Sequence, residues 1–263
     1  MAEEVKNMSD NQKLQSLLKE IDKKKAQIDK ARPLPKVVLR KLTEYLDVEW
    51  TYNSNAIEGN TMSRQETMLI LKEGLTISGK SMREHLEVTN HKNAIDYLAE
   101  LLTKVEPITQ RDILSIHNLI LEGIDNQYAG KLRDVEVYIS GSTYKPPRPD
   151  KLQNLMLEFS KWLVDQQESK ALHPVRFAAQ AHFKLVDIHP FVDGNGRTAR
   201  LLMNFILMKY GYPIAVFECE SNKRQAYYSA LELGHKDNFL PFEIMAAEYV
   251  DLTADKYLES IPK

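Results

Sequence analysis

The chain has 263 residues, of which 43% are apolar, and its 35 lysines and arginines nearly balance 37 aspartates and glutamates, for a formal charge of −2. These values are typical of a globular protein and give no electrostatic support for binding to nucleic acid or to an anionic membrane. A single cysteine, Cys219, excludes an internal disulfide framework and a zinc site built from cysteines alone. The first residues lack a signal-peptide pattern and no apolar run approaches the roughly 20 residues of a membrane span, so we expect a cytoplasmic protein.

Apolar residues recur every three or four positions through most of the chain, which predicts an all-α fold. The first helix, over residues 10–31, has a thin apolar stripe that suits a peripheral helix or a seam between two copies of the chain; the stripe consists of Leu14, Leu17, Leu18, Ile21 and Ile28. Prolines then end this helix. A second helix is predicted from about Lys36 to Ile57, with Gly59 as its stop signal.

Capping patterns mark the helices that follow. Ser63 and Ser81 each precede a glutamate by three residues, which predicts a capping box at the start of a helix, and Gly74 is expected to end the first of the two. Thr109 is expected to cap another helix. Further helices are predicted from residue 150, over 174–186, over 195–210, over 222–233 and over 241–258.

Residues 134–147 differ from this helical pattern. Val135, Val137 and Ile139 alternate with polar residues, and Gly141-Ser142 offers a turn before the chain returns. This pattern predicts a short β-hairpin on a helical body.

One segment, His189 to Arg200, reads His-Pro-Phe-Val-Asp-Gly-Asn-Gly-Arg-Thr-Ala-Arg. A glycine-rich turn at a helix start lets backbone N–H groups converge at the positive end of the helix dipole, which predicts an anion site. Arg197 and Arg200 add cations suited to phosphate oxygens, and Asp193 is a hard oxygen ligand for Mg²⁺ bound mainly through phosphates. Because His189 can accept a proton at neutral pH, the segment predicts phosphate chemistry.

This segment resembles the signature of the Fic (filamentation induced by cAMP) family, His-Pro-Phe-x-Asp/Glu-Gly-Asn-Gly-Arg-x-x-Arg, at every fixed position. The resemblance extends from about His117 to Tyr249 and includes Gly130-Lys131-Leu132-Arg133 and Leu172-His173-Pro174-Val175. Most Fic proteins are adenylyltransferases, which move AMP from ATP to a protein hydroxyl. The resemblance therefore implies a multi-helix Fic fold with the hairpin as a flap beside the active site, and it implies ATP and Mg²⁺ as substrate and cofactor.

By position, the resemblance also implies a role for each residue of the motif. His189 would deprotonate a Ser, Thr or Tyr hydroxyl of the target, Asp193 would hold Mg²⁺ on the α- and β-phosphates, and Arg200 would bind the γ-phosphate. Arg197 would stabilise the transferring region. Phosphate oxygens would contact the turn formed by Gly194, Asn195 and Gly196. Transfer of this kind depends mainly on positioning and charge neutralisation, which agrees with these roles.

The resemblance implies two further contact regions. In the family, the flap clamps an extended target segment by strand-like backbone pairing, which here would engage Val137, Tyr138 and Ile139. Tyr228 would pack near the adenine. A related eukaryotic Fic enzyme has Asn seven positions after this Tyr, whereas this chain has His235, so the base-binding end departs from that pattern.

Ser54 and Glu58 are four positions apart, hence on one helix face, and Glu58 falls at a helix C-terminus, where a carboxylate gains from a cationic partner. The string Ser-Asn-Ala-Ile-Glu-Gly resembles the inhibitory motif of Fic proteins whose regulatory helix precedes the Fic core (class II type). In that group the Glu pairs with the second Arg of the signature, here Arg200, and keeps the γ-phosphate from seating productively. The resemblance thus implies a self-inhibited adenylyltransferase.

Other functions remain open from the residues alone. The same site could remove AMP from a modified target, with Glu58 orienting a water. His235 leaves room for a Fic-type transfer of another phosphate-containing group, although the intact glycine turn and Asp193 argue against a degenerate kinase-like site. A nucleotide-sensing interaction module would bind ATP without turnover. A histidine metal site has little support, since His182 and His189 are poorly spaced as ligands.

We expect an N-terminal helical region over residues 1–105, with the inhibitory helix at about 36–58, and a Fic core with C-terminal helices over 106–263. The expected partners are ATP and a target protein with an exposed hydroxyl. The chain itself is a candidate acceptor, and the stripe on the first helix would allow a homodimer. Neither nucleic acid nor a membrane is expected as a partner.

Overall fold

The computed structural model describes residues 2–261, with side chains from residue 9 onward; Met1 and residues 262–263, the outer ends of the two predicted regions, lie outside the described residues. Within the described part of the chain the fold is all-helical, with ten α-helices and no strand. None of the helices described combines the length and apolar character needed to cross a membrane. In chain order, α1 to α10 are Ala2–Lys30, Lys36–Ile57, Arg64–Glu73, Met82–Leu101, Gln110–Leu121, Leu152–Ser169, Pro174–Ile188, Asn195–Lys209, Ser221–Gly234 and Leu240–Ser260.

Local capping sets several of these boundaries as the sequence predicts. The Ser63 hydroxyl accepts from the Glu66 N–H at 3.2 Å, and the Glu66 carboxylate accepts from the Ser63 N–H at 2.7 Å, which closes the capping box of α3. Ser81 starts α4 in the same way. Gly74 ends α3 with φ +65°, a left-handed conformation that suits glycine.

The centre of the molecule is the antiparallel pair α7 and α8, which connects through the His189–Gly194 turn. Helix α8 is buried on nearly all sides, as expected for a central helix. Helices α4, α5 and α2 cover one side of α8, and α10 packs on α7. One continuous apolar cluster draws on both predicted regions, including Leu14, Ile57, Leu98, Ile116, Phe177, Leu202 and Val250.

The apolar stripe of α1 packs within the chain, against α10. Leu14, Leu18, Ile21 and Ile28 are all buried. Beside the stripe, the Lys24 ammonium forms ion pairs across the same interface, to carboxylates of α10. The stripe is therefore covered by this chain itself and is not available as a seam between two copies.

Residues 134–147, which we name the strap, do not form the predicted hairpin. A turn at Ser140–Gly141 is present, with Ser142 N–H donating to the Ile139 carbonyl at 3.1 Å, but the flanking residues form no strand pair. On the returning side Pro146 and Pro147 have no N–H to donate to a ladder. The guanidinium of buried Arg133 instead binds the carbonyls of Val135 at 2.8 Å and Pro147 at 2.5 Å. A side chain, rather than a ladder of backbone hydrogen bonds, holds the two ends of the strap together.

Replacing Ile21 with Ala tests the internal packing of α1. The side chain is fully buried, so we expect a loss of about 2–5 kcal/mol in the free energy of unfolding, measured by urea denaturation. The loss should be the same at low and high protein concentration, because the partner helix belongs to the same chain. Val37→Ala, at an exposed helical position, is the control. An unchanged stability, or a loss that depends on concentration, would contradict this packing.

Candidate active site

The turn between α7 and α8 is held by hydrogen bonds within itself. Gly194 caps α8 with φ +79°, and the buried Asn195 amide bridges both backbone groups of Phe191, accepting from its N–H at 3.0 Å and donating to its carbonyl at 2.8 Å. Because the side-chain amide of Asn195 is engaged in this way, only the backbone N–H of Asn195 is left to bind an anion. The N–H groups of the first turn of α8 have no partner inside the helix, so the turn offers them to a ligand.

His117, on α5, packs against the turn and binds its backbone. Its Nδ1 accepts from the Gly130 N–H at 3.0 Å, which leaves the proton on Nε2 to donate to the Asp193 carbonyl at 2.9 Å. The ring stacks on Phe191 with centroids 3.6 Å apart. Burial lowers the pKa of His117 to about 4, so the ring is neutral and this tautomer is maintained at neutral pH. A Cβ at Gly194 would press on the same ring, at 3.3 Å.

His189 ends α7 in the left-handed conformation, with φ +48°, which turns its ring toward the cavity described below. Its Nδ1 lies 3.3 Å from the Val186 carbonyl, an acceptor, so Nδ1 carries the proton and Nε2 keeps a free lone pair. Burial, with a smaller contribution from the Arg133 guanidinium, lowers the pKa of His189 to about 4. The imidazole is therefore neutral at physiological pH and competent to accept a proton.

Asp193 belongs to a ring of four alternating charges, the other three being Arg197, Glu87 and Arg83. One of its carboxylate oxygens accepts from the Gly194 N–H at 2.6 Å and from Arg197 at 3.1 Å, and the other accepts from Arg83 of α4 at 2.6 Å. Glu87 of α4 completes the ring of charges, with Arg83 at 3.2 Å and Arg197 at 3.4 Å. Burial raises the pKa of the Asp193 carboxyl, but the two arginines and the Gly194 N–H outweigh it and hold the pKa below its usual value. The carboxylate is thus ionised.

Arg200 is buried at the second turn of α8 and takes three partners. Its guanidinium donates to the Ser54 hydroxyl at 3.0 Å, to the Ser54 carbonyl at 2.8 Å and to the Glu58 carboxylate at 2.8 Å. It also donates to the Tyr227 hydroxyl at 3.2 Å, which in turn lies 3.0 Å from Nε2 of His182. The predicted pairing of Glu58 with Arg200 is present in the structure, and its donors and acceptors are matched.

The Glu58 carboxylate lies directly over the first turn of α8. A Cβ at Gly196 would collide with it, so glycine is required there for this approach. The backbone of Glu58 lies at the C-terminal end of α2, where the helix dipole disfavours a negative charge, but its carboxylate lies at the N-terminal end of α8. The positive end of the α8 dipole stabilises the carboxylate there. The carboxylate thus occupies the space beside the N–H groups of the first turn of α8.

A cavity of about 580 Å³ opens beside Glu58, His189 and Gly196. Tyr228 and other residues of α9 form one wall, and the strap, through Ile139 and its turn, forms another. The Tyr228 hydroxyl donates to the Ile57 carbonyl at 3.0 Å, which joins this wall to the end of α2. His235 also lines the cavity, but its Nδ1 is engaged with Asp187 at 2.8 Å.

Arg133 links the strap to the motif. Besides binding the two strap carbonyls, its guanidinium donates to the His189 carbonyl at 2.9 Å. The backbone N–H of Arg133 donates to the Pro190 carbonyl at 2.9 Å. Of the three strap residues singled out from the sequence, Tyr138 is 82% exposed, Val137 is half-buried, and Ile139 faces the cavity.

Of the residues singled out from the sequence, Glu58, Ile139, His189, Gly196 and Tyr228 border one cavity. Asp193 and Arg197 do not line this cavity and are paired with Arg83 and Glu87 of α4 instead.

The sequence assigned no role to the residues that support these site residues from other parts of the chain, namely Arg83, Glu87, His117, Arg133 and Tyr227. For His117, the sequence offered one signal, a histidine at a position that helical periodicity places on the buried face of a helix.

The sequence profile of the Fic/DOC family matches residues 107–207, which contain the His189–Arg200 motif. A protein of Culex quinquefasciatus named protein adenylyltransferase Fic is 38% identical over 259 residues, covering 95% of this chain and 51% of its own length. The protein of the same name from Drosophila melanogaster is 41% identical over 221 residues, covering 84% of this chain and 44% of its own length. The chain thus spans about half the length of these curated relatives.

Two solved structures are similar over most of the chain. A Fic domain containing signaling protein from Bacteroides thetaiotaomicron has a TM-score of 0.84 and 26% identity, and the match covers 92% of this chain and 96% of that one. Fic-1 from C. elegans also has a TM-score of 0.84, with 32% identity over 97% of this chain and 73% of that one. Similarity of sequence and fold at this coverage, together with an intact motif at the centre of the fold, shows that the chain belongs to the Fic/DOC family.

Proposed function

We propose that this protein transfers AMP from ATP to a Ser, Thr or Tyr hydroxyl of a protein and that Glu58 inhibits the reaction. The observation that supports this most strongly is the arrangement around the glycine turn. A neutral imidazole with a free Nε2 and an N–H-lined turn border one cavity, and the carboxylate of Glu58 holds the arginine expected to bind phosphate. The insect relatives named protein adenylyltransferase support the same activity.

In this mechanism Nε2 of His189 takes the proton of the target hydroxyl as its oxygen attacks the α-phosphorus of ATP. The bond between the α-phosphorus and the bridging oxygen of the β-phosphate breaks, and pyrophosphate leaves. The N–H groups of Asn195 and Gly196 and the guanidinium of Arg197 stabilise the negative charge on the phosphate oxygens. Arg200 binds the γ-phosphate, which aligns the leaving group.

Asp193 is suited to hold Mg²⁺. Its carboxylate is ionised and 43% exposed, and the described residues contain no cluster of three or more acidic, His or Cys ligands. A single protein carboxylate fits an ion whose other ligands are phosphate oxygens and water. When bound, the ion would neutralise charge on the phosphates. Since Arg83 occupies one oxygen of this carboxylate, it competes with the metal.

Glu58 inhibits because its carboxylate and the γ-phosphate would compete for the same cation. Arg200 is buried among its partners and cannot move to a second anion without losing its hydrogen bonds to Ser54 and Tyr227. The carboxylate also repels a polyphosphate at the first turn of α8. ATP therefore binds in a position that does not align the α-phosphate with His189.

The strap is the proposed docking site for the target. Residues 137–139 have no regular secondary structure, and among the described residues no backbone hydrogen bond joins Val137 or Tyr138 to another segment. An extended target segment could pair with this edge by backbone hydrogen bonds, as in β-augmentation. Such pairing would create the hairpin-like geometry that the isolated strap lacks.

Glu58→Gly should release the activity. We expect AMP transfer from Mg²⁺ATP, to the protein itself or to a target, to rise about tenfold, because a change of about 1.4 kcal/mol in the barrier suffices for that increase. Ser54→Ala, which removes one hydroxyl acceptor from Arg200 and keeps the carboxylate, should have a much smaller effect. The adduct is measured by intact mass, which also separates an adenylyl group from another phosphate-containing group.

The added change His189→Ala in the Glu58→Gly protein should abolish the adduct, because no base remains. If Glu58→Gly protein yields no AMP adduct on itself or on any of a range of candidate targets, the proposed function is wrong.

The pH profile tests the base. Because burial lowers the pKa of His189 to about 4, the ring stays deprotonated as the pH falls. The Glu58 charge raises this pKa, so its removal in the Glu58→Gly protein lowers it further. In that protein kcat/KM should stay level from about pH 8 to about pH 5 and be halved only at or below about pH 4, since this profile reports the pKa of the base in the free enzyme. Circular dichroism at each pH controls for unfolding. A loss of half the activity near pH 6.5, the usual value for histidine, would contradict the assignment.

Arg83→Ala in the Glu58→Gly protein tests the competition for Asp193. With no guanidinium on the carboxylate, the Mg²⁺ concentration that gives half-maximal transfer should fall about 1.5- to fivefold, which corresponds to a partly exposed ion pair. Arg64→Ala removes an arginine of α3 that pairs with Glu49 instead, and it serves as the control. An unchanged or higher Mg²⁺ requirement would show that Arg83 does not compete.

A further inference from the structure

A cluster of three side chains joins the strap to both α7 and α9 on the far side of the cavity. The ring of Tyr144, near the end of the strap, lies flat on the imidazole of His235, with centroids 3.6 Å apart and planes 5° from parallel. His235 caps the C-terminus of α9. The stack therefore attaches the returning half of the strap to the wall of the cavity.

Asp187, on the last turn of α7, binds both members of the stack. Its carboxylate lies 2.8 Å from Nδ1 of His235, and because a carboxylate accepts, Nδ1 carries the proton. The Tyr144 hydroxyl donates to the Asp187 carbonyl at 2.9 Å. We name Tyr144, Asp187 and His235 the Tyr144 cluster; it is closed, since each member contacts the other two.

A second contact supports the same half of the strap. The hydroxyl of Ser142 donates to the Glu232 carboxylate of α9 and accepts from the Tyr144 N–H, the latter at 3.0 Å. Arg133 holds the ends of the strap, whereas the Tyr144 cluster and Ser142 hold the part that follows its turn. The strap is thereby fixed on both sides of residues 137–139.

The position of the cluster relates it directly to the base. Asp187 lies in the last turn of α7, two residues before His189, which caps that helix. A strap bound to Asp187 is therefore attached to the segment that carries the imidazole at 189. Ser142 and His235 line the same cavity as His189. Tyr144 and Asp187 themselves do not line it, so they act on the strap and not on the nucleotide.

We infer that Tyr144 and Asp187, through His235, are positioning residues for the protein acceptor: they hold the 137–139 edge at the distance from His189 at which a docked hydroxyl can react. This inference rests on the proposed function. Reacting atoms need to approach to about 3–3.5 Å, and a displacement of about 1 Å can cost about 100-fold in rate. The acceptor is an extended protein segment, since only such a segment uses the edge.

The test compares Tyr144→Phe, which keeps the stack and loses the hydroxyl, with Tyr144→Ala, which loses both. In the Glu58→Gly protein we expect the rate of AMP transfer to the acceptor labelled by that parent to fall about tenfold or more for Ala and less for Phe. The ATP concentration at half-maximal rate should stay within about twofold. Asp187→Asn should resemble the Phe variant.

Hydrogen exchange provides a readout that does not need activity. Amides of residues 137–145 should exchange about tenfold faster or more in Tyr144→Ala, while those of α8 are unchanged. Tyr212→Phe is the matched control, because Tyr212 donates to Asp22 at 2.6 Å beside His173, a cluster of the same residue types remote from the cavity. Thermal unfolding establishes that each variant is folded.

The outcomes separate the two proposals. If the Glu58→Gly parent labels nothing, the proposed function fails, whereas faster exchange in the strap still supports the cluster as its anchor. If the parent is active and exchange in the strap does not change in Tyr144→Ala, the inference is wrong. It is also wrong if the dependence on ATP and the rate of transfer change together, or if Tyr212→Phe has the same effects.

Discussion

The guanidinium of Arg200 is the charge around which the site is organised. It is 2% exposed, and a cation at that depth costs several kcal/mol unless hydrogen bonds and a counter-charge compensate it. Ser54 and Glu58 supply that compensation from the end of α2, and Tyr227 supplies it from α9. The N-terminal region is therefore attached to the motif helix at the point proposed for phosphate binding. In the proposed mechanism, a polyphosphate and Glu58 are alternative partners of one cation.

The same use of paired charge extends to the neighbouring groups. Asp193, the proposed metal ligand, is paired with Arg83 of α4, and Arg197 is paired with Glu87 of the same helix. Thus α2 supplies an anion to one arginine, and α4 supplies a cation to the carboxylate. In the proposed reaction, binding of ATP with its metal would replace the Glu58–Arg200 and Arg83–Asp193 pairs by contacts with substrate charges. The N-terminal helices and the substrate would therefore compete at two places, Arg200 and Asp193.

Much of the fold follows from local sequence, because helix ends depend on residues a few positions apart. The capping boxes at Ser63 and Ser81 are of this kind. The glycine turn and its helix were likewise predictable, since they occupy consecutive residues. The strap was predicted as a hairpin because alternation of apolar residues does not reveal a competing donor. Arg133 holds the two ends of the strap, and its contacts at residues 147 and 189 depend on tertiary structure.

The most direct test of this account is a double-mutant cycle between Glu58 and Arg200 on the free energy of unfolding. Glu58→Gln and Arg200→Met remove one charge each with little change of size, and the double variant removes both. If the carboxylate compensates the buried cation, the coupling energy should be about 1–3 kcal/mol. Effects that add to within about 0.5 kcal/mol would mean that the two groups do not interact, and the account would fail.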